Sequence, residues 1–161
     1  MRRRTMILGA SFMALLVLVL PACGAGVSGG QQIRASWIKA EVAGSEVAIP
    51  VSEVERHRIV HFRVGTQTGE SSFMAFELDG QLYVRADICP PCGSDSFSLE
   101  RNVLVCDRCG SVFDARTGEG ISGACVAYAK RSVPYKVSGG KIVMNKSDLV
   151  AAHQESLRPG R

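Results

Sequence analysis

The chain has 161 residues, a length that suits one domain with its own core, and 46% of them are hydrophobic, which excludes a disordered or collagen-like polymer. Its 19 basic and 15 acidic residues give a formal charge of +4, but Arg2, Arg3 and Arg4 supply three of the basic groups. Without residues 1–22 the balance is 16 against 15, so the rest of the chain carries no basic footprint for nucleic acid.

The basic start Met1-Arg2-Arg3-Arg4 precedes an almost wholly apolar run from Met6 to Leu20. That run covers 15 positions, short of the roughly 20 that cross a bilayer as a helix. It fits the apolar region of a secretory signal. Leu20-Pro21-Ala22-Cys23 resembles a bacterial lipobox, in which the cysteine is lipidated and becomes the first mature residue. Residues 1–22 are therefore expected to be a lipoprotein signal peptide. Residues 23–32 are expected to be a lipidated Cys23 and a flexible tether through Gly24–Gln32, anchoring the protein to a membrane of the bacterial cell envelope and facing it to the periplasm or the cell exterior. A plain signal peptide or an N-terminal anchor is the simpler alternative. Arg3-Arg4 also fits a twin-arginine export signal, but paired arginines are common in any basic start.

From residue 33 the expected class is all-β, in one domain over 33–150 followed by a C-terminal tail over 151–161. Ile33 to Ser52 suggests irregular chain with one strand. Ile59–Val64 is short and rich in β-formers, and Gly65-Thr66-Gln67-Thr68-Gly69 after it suggests a turn. Phe73–Leu78 and Gln81–Arg85 flank Asp79-Gly80, a hairpin signal because glycine accepts the positive φ of a type I′ turn. Val103–Val105 and Val112–Asp114 are read as strands on either side of a cysteine pair. Val133–Val137 and Lys141–Met144 flank Ser138-Gly139-Gly140, a second hairpin, and Ser147 is placed to cap a short helix through Ala152.

Cysteines carry the chemistry. Beyond Cys23, four of the remaining five form Cys89-Pro90-Pro91-Cys92-Gly93 and Cys106-Asp107-Arg108-Cys109-Gly110, with 13 residues between the pairs. A two-residue spacer lets both thiolates point at one centre, and the glycine frees the backbone to turn tightly around the sulfurs. Two such loops facing one another enclose a metal centre with four sulfurs. Structural disulfides are the first alternative, in an oxidising compartment. A thiol–disulfide oxidoreductase using Cys89 and Cys92 is the second, but that motif needs a helix N-terminus to lower the pKa of its first cysteine. Here Gly93-Ser94-Asp95-Ser96-Phe97-Ser98 suggests loop and strand. Spacing alone does not separate an iron–sulfur cluster from zinc, which would make the region a structural zinc-ribbon interaction module.

The flanks add more. Leu104 to Asp114 with Ala115-Arg116-Thr117-Gly118 resembles the second cluster loop of a Rieske-type domain, where a Cys-x-x-His-Gly loop precedes a Phe-Asp turn and a Thr-Gly pair. Cys109 stands where that pattern has histidine, and the first loop lacks one too. With Gly123-Ala124-Cys125, Val133-Pro134-Tyr135 and the Phe76–Gly80 hairpin, residues 60 to 144 resemble the FtrD-like membrane iron–sulfur proteins. That resemblance implies a Rieske-like small β-sandwich, a [2Fe–2S] cluster on Cys89, Cys92, Cys106 and Cys109, and electron transfer to an unidentified redox partner, linked to iron or other metal transport at the envelope. Many members carry several membrane helices ahead of this domain, where this chain has a lipobox. All-thiolate ligation implies a reduction potential below the Rieske range.

Cys125 is open between a fifth ligand, a neighbour of the cluster and a small buried hydrophobe. Arg108, between two ligands, is read first as a solvated loop residue and second as an offset to cluster charge. His57, His61 and His153 are read as surface histidines, and Met74 and Met144 as core. No Ser/His/Asp set, phosphate loop or paired acid–base carboxylates is evident, which favours a carrier over an enzyme.

Overall fold

A computed structural model describes residues 31–66 and 69–160. The expected signal peptide, the expected lipidation site Cys23 and the expected tether as far as residue 30 lie outside the described residues. No helix among those described is long and apolar enough to cross a membrane.

The strands run β1 (Gln32–Arg34), β2 (Ser36–Trp37), β3 (Glu41–Ala43), β4 (Glu46–Pro50), β5 (Ile59–Thr66), β6 (Gly69–Leu78), β7 (Gln81–Ala86), β8 (Phe97–Glu100), β9 (Val103–Cys106), β10 (Val112–Asp114), β11 (Gly120–Ser122), β12 (Lys136–Ser138) and β13 (Lys141–Asn145). Two helices join them, α1 (Val51–His57) between β4 and β5, and α2 (Lys146–Ser156) after β13. They form three sheets with strand orders β2-β5-β6-β7, β12-β13-β4-β3 and β1-β8-β9-β10-β11. The expected all-β, Rieske-like sandwich forms, with the central β5-β6-β7 meander as its middle layer.

That meander is long because its residues serve both faces. Val60, Phe62 and Val64 of β5, with Phe73 and Ala75 of β6, pack against Ile49, Ile142, Met144 and Leu149 in one core. The alternate residues Ile59, Met74, Phe76 and Leu78 face a second core containing Phe97, Leu99, Leu104, Phe113 and the buried cysteines. Asp79 (φ 51°) and Gly80 (φ 76°) make the β6–β7 turn, and Gly139 and Gly140 (φ 56° and 72°) make the β12–β13 turn. Both are the two-residue positive-φ hairpins that the sequence predicts.

Several elements differ from expectation. Residues 33–50 hold β1 in part and β2, β3 and β4 in full, because each short strand finds a distant partner: Glu46 pairs with Asn145 and Arg34 with Ser98. Gln32, assigned to the tether, opens β1. β5 continues through Gly65 to Thr66. The helix α2 begins after Asn145 with no side-chain cap and runs to Ser156, so residues 151–156 are helix and not tail. Leu149 and Ala152 bury its inner side.

The two cores make the middle sheet the main store of stability. Removing a fully buried phenyl ring from it, in Phe76→Ala, is expected to cost about 3–5 kcal/mol, read by urea unfolding against the parent protein.

Candidate metal centre

Two loops of the second core carry the cysteines, and their backbones repeat one pattern. In the first, the Cys89 N–H donates to Ser94 O (2.8 Å) and the Gly93 N–H to Cys89 O (2.8 Å). In the second, the Cys106 N–H donates to Ser111 O (2.9 Å) and the Gly110 N–H to Cys106 O (2.9 Å). Gly93 and Gly110 sit at φ 66° and 69°, which closes each loop around its sulfurs. Asp107 ties the loops together: its carboxylate accepts from Ser96 Oγ and Ser98 Oγ, both at 2.6 Å, and its N–H donates to Ser96 O at 3.0 Å.

The result brings the Sγ atoms of Cys89, Cys92, Cys106 and Cys109 within 4.8 Å of one another. Cys89 and Cys109 are 4.0 Å apart, and Cys92 and Cys106 3.7 Å. Cys89 and Cys106 are buried, Cys92 is half-buried and Cys109 is exposed, so the site has an inner and an outer side. A convergent set of four soft thiolates fits an iron–sulfur cofactor. The described cysteines are free thiols, with no disulfide among them.

Cys125 is the fifth thiol here. It is buried, and its Sγ lies 3.7 Å from that of Cys109, outside the set of four mutually close sulfurs. Ser111 joins the two: its Oγ accepts the Cys125 N–H (3.1 Å) and lies 3.3 Å from Cys109 Sγ.

Electrostatics separate the thiols. Burial pushes the Cys89 thiol well up and raises Cys106 as well. At Cys109 burial also opposes ionisation, but the Ser111 hydroxyl and N–H, helped by Cys106 and Cys92, bring it down to about 6. Arg108 is exposed on the outer loop.

Other residues near the site were not singled out by the sequence. Asp87 is fully buried two positions before Cys89, and its Oδ2 lies 3.2 Å from Nδ1 of buried His61. Burial lowers His61 to about 4 and pushes Asp87 well above the carboxylate range. The contact lacks hydrogen-bond geometry, and burial disfavours the charged form of both groups. The surface expectation fails for His61, because β5 is covered on both faces. It is weakened for His57 and His153, which are half-buried: His57 takes Ser36 Oγ at 3.0 Å and His153 meets the Phe73 ring. Lys130, fully buried, donates from Nζ to Ile88 O. No pattern in the local sequence Ala129-Lys130-Arg131 marks it.

Three sheets with two cysteine-bearing loops define a Rieske-type iron–sulfur fold. One chain of the complex of reduced oxygenase and oxidized ferredoxin in carbazole 1,9a-dioxygenase is similar to this chain at TM-score 0.52 and 20% identity, covering 65% of this chain and 95% of that one. A Sphingomonas yanoikuyae B1 ferredoxin is more distantly similar, at TM-score 0.42 and 18% identity, covering 52% of this chain and 83% of its own. A comparison with curated proteins gives no match. The model of the family described as "Membrane iron-sulfur containing protein FtrD-like" matches residues 54–155, and the chain belongs to that family.

Because the thiolate is the reactive form, alkylation of the metal-free protein by iodoacetamide is expected to reach Cys109 before the buried thiols, its rate rising with pH through a midpoint of about 6. Ser111→Ala is expected to move that midpoint upward. Peptide mapping by mass spectrometry reads both.

Proposed function

We propose that this protein is an envelope-anchored one-electron carrier that holds a [2Fe–2S] cluster on Cys89, Cys92, Cys106 and Cys109 and is lipidated at Cys23. One observation carries the reading: the four thiols converge on the two loops of a Rieske-type fold, in a chain of an iron–sulfur family. Bound there, the cluster supplies reversible one-electron storage. The chain's residues do the rest. Buried Cys89 and Cys106 root the site in the second core, and the outer side at Cys92 and Cys109 is where a redox partner protein meets it. The lipobox and the description of the family as membrane proteins support the anchor. A link to iron or other metal transport rests on the family resemblance.

A structural zinc site is the second reading, and the sulfur spacing favours it. A single tetrahedral ion with Zn–S of about 2.3 Å sets its sulfurs about 3.8 Å apart, close to the 3.7 and 4.0 Å found here. The thiol–disulfide reading has less support. Cys89 follows an extended segment and opens a turn, and burial raises its thiol where a reactive cysteine needs the reverse.

The test is to purify the protein from a host that builds clusters and to assay iron, zinc and acid-labile sulfide, with visible absorption and electron-spin resonance after reduction. About two irons and two sulfides per chain with a signal on reduction are expected for this cluster type. Stoichiometric zinc without visible bands overturns the proposal. Cys125→Ser is expected to keep its full iron and sulfide, because the other four sulfurs close the site without it.

A further inference from the structure

Lys130 is the only lysine among the described residues that is fully buried. Its backbone is fixed on both sides. The Lys130 N–H donates to Gly118 O at 2.8 Å, and Arg85 Nη1 donates to Lys130 O at 2.9 Å. Gly118, at φ 80°, approaches so closely that a Cβ there would stand 2.1 Å from Lys130 O. The side chain runs into the metal-bearing core. Its Nζ donates to Ile88 O at 2.6 Å, the carbonyl next to Cys89, and lies 4.3 and 5.1 Å from the ring centroids of Phe113 and Phe97.

These partners do not replace what water gives an ammonium. One carbonyl and two ring faces recover part of its hydration, and a buried cation needs an anion for the remainder. Among the described residues no carboxylate forms an ion pair with Nζ. Asp87, the buried acid on that side, faces His61 at 3.2 Å. What shares the interior with Lys130 are the buried thiols Cys89, Cys106 and Cys125, which pack in one core with the Phe97 and Phe113 rings that hold its Nζ. Once Cys89 and Cys106 bind metal as thiolates, the missing anions are supplied.

We propose that Lys130 is the buried counter-cation of the iron–sulfur site, an internal charge that favours thiolate ligation at Cys89 and Cys106 and raises the reduction potential of the bound cluster. The proposal rests on the electron-carrier reading. Reduction adds one electron from an external donor and breaks no bond to the chain, so the site gains one negative charge. A positive charge held in a medium of low dielectric lowers the free energy of that step. Exposed Arg108 is screened by water and acts weakly by comparison.

The experiment is a spectroelectrochemical titration of the cluster-loaded full chain, comparing wild type, Lys130→Met, Lys130→Gln and Arg108→Gln. Both Lys130 variants are expected to lower the midpoint by about 59 mV, tenfold in the one-electron equilibrium, while Arg108→Gln moves it much less. A loaded protein whose midpoint is unmoved by either Lys130 variant overturns the role of Lys130 and leaves the carrier reading standing. Wild type that holds zinc and no sulfide overturns both. Thermal unfolding of protein produced without cluster supplies the second readout. There the ammonium is uncompensated, so Lys130→Met is expected to match or exceed the wild-type Tm. If Lys130→Met and Lys130→Gln both lose stability or fail to fold without cluster, Lys130 is a structural residue and the proposal is overturned.

Discussion

The molecule depends on one sheet being covered on both faces. β5, β6 and β7 alternate their side chains between two cores, so Phe62 and Phe73 serve the sandwich while Met74 and Phe76 serve the metal-bearing half. Each core takes part of its apolar side chains from that shared layer. The cysteine loops are therefore built over one face of that shared sheet, and their own shape comes from backbone bonds repeated in both. Cys89 and Cys106 belong to the second core as much as to the site, since both are buried among Phe97, Leu104 and Phe113.

What the sequence made legible follows from what local chemistry dictates. Asp79-Gly80 and Gly139-Gly140 announce their hairpins because the turn type demands positive φ at both central residues. The cysteine pairs announce their loops because the spacing and the following glycine have few other uses. The segment 33–50 was opaque for the opposite reason: its strands are two to five residues long, and β4 pairs with β13, far along the chain. The helix α1 was missed because Val54 is the one residue of its seven that is buried, leaving little periodic signal. His61 was misplaced because a strand covered on both faces does not display the polar alternation that marks a solvated side. Lys130 was invisible because a basic residue in a loop is ordinarily wet, and only the packing of Phe97 and Phe113 around Nζ shows otherwise.

Polarity across the site is the common thread of its chemistry. The inner thiols are raised by burial and share their interior with a cation, whereas the outer thiol of Cys109 is exposed and ionises readily. Arg85 extends the pattern by holding the Ala115–Thr117 turn through carbonyls: its guanidinium donates to Ala115 O, Arg116 O and Thr117 O. That turn leads through Gly118 to the backbone of Lys130, so the inner charge is fixed in place by the turn between β10 and β11, which follows the second cysteine loop.

On the proposed lipid anchor at Cys23, the position of strand β1 sets the length of the leash. β1 is an edge strand of the metal-bearing sheet, pairing Gln32 with Glu100 and Arg34 with Ser98, so the described chain enters at the β8–β9 turn end of that sheet and runs towards the cysteine loops. With a lipid on Cys23, nine Cα steps separate the anchor from Gln32, and a chain extended at about 3.3–3.6 Å per residue reaches about 30 Å. On that proposal an electron partner would work in the layer next to the membrane, and lengthening the leash would widen that layer without touching the site.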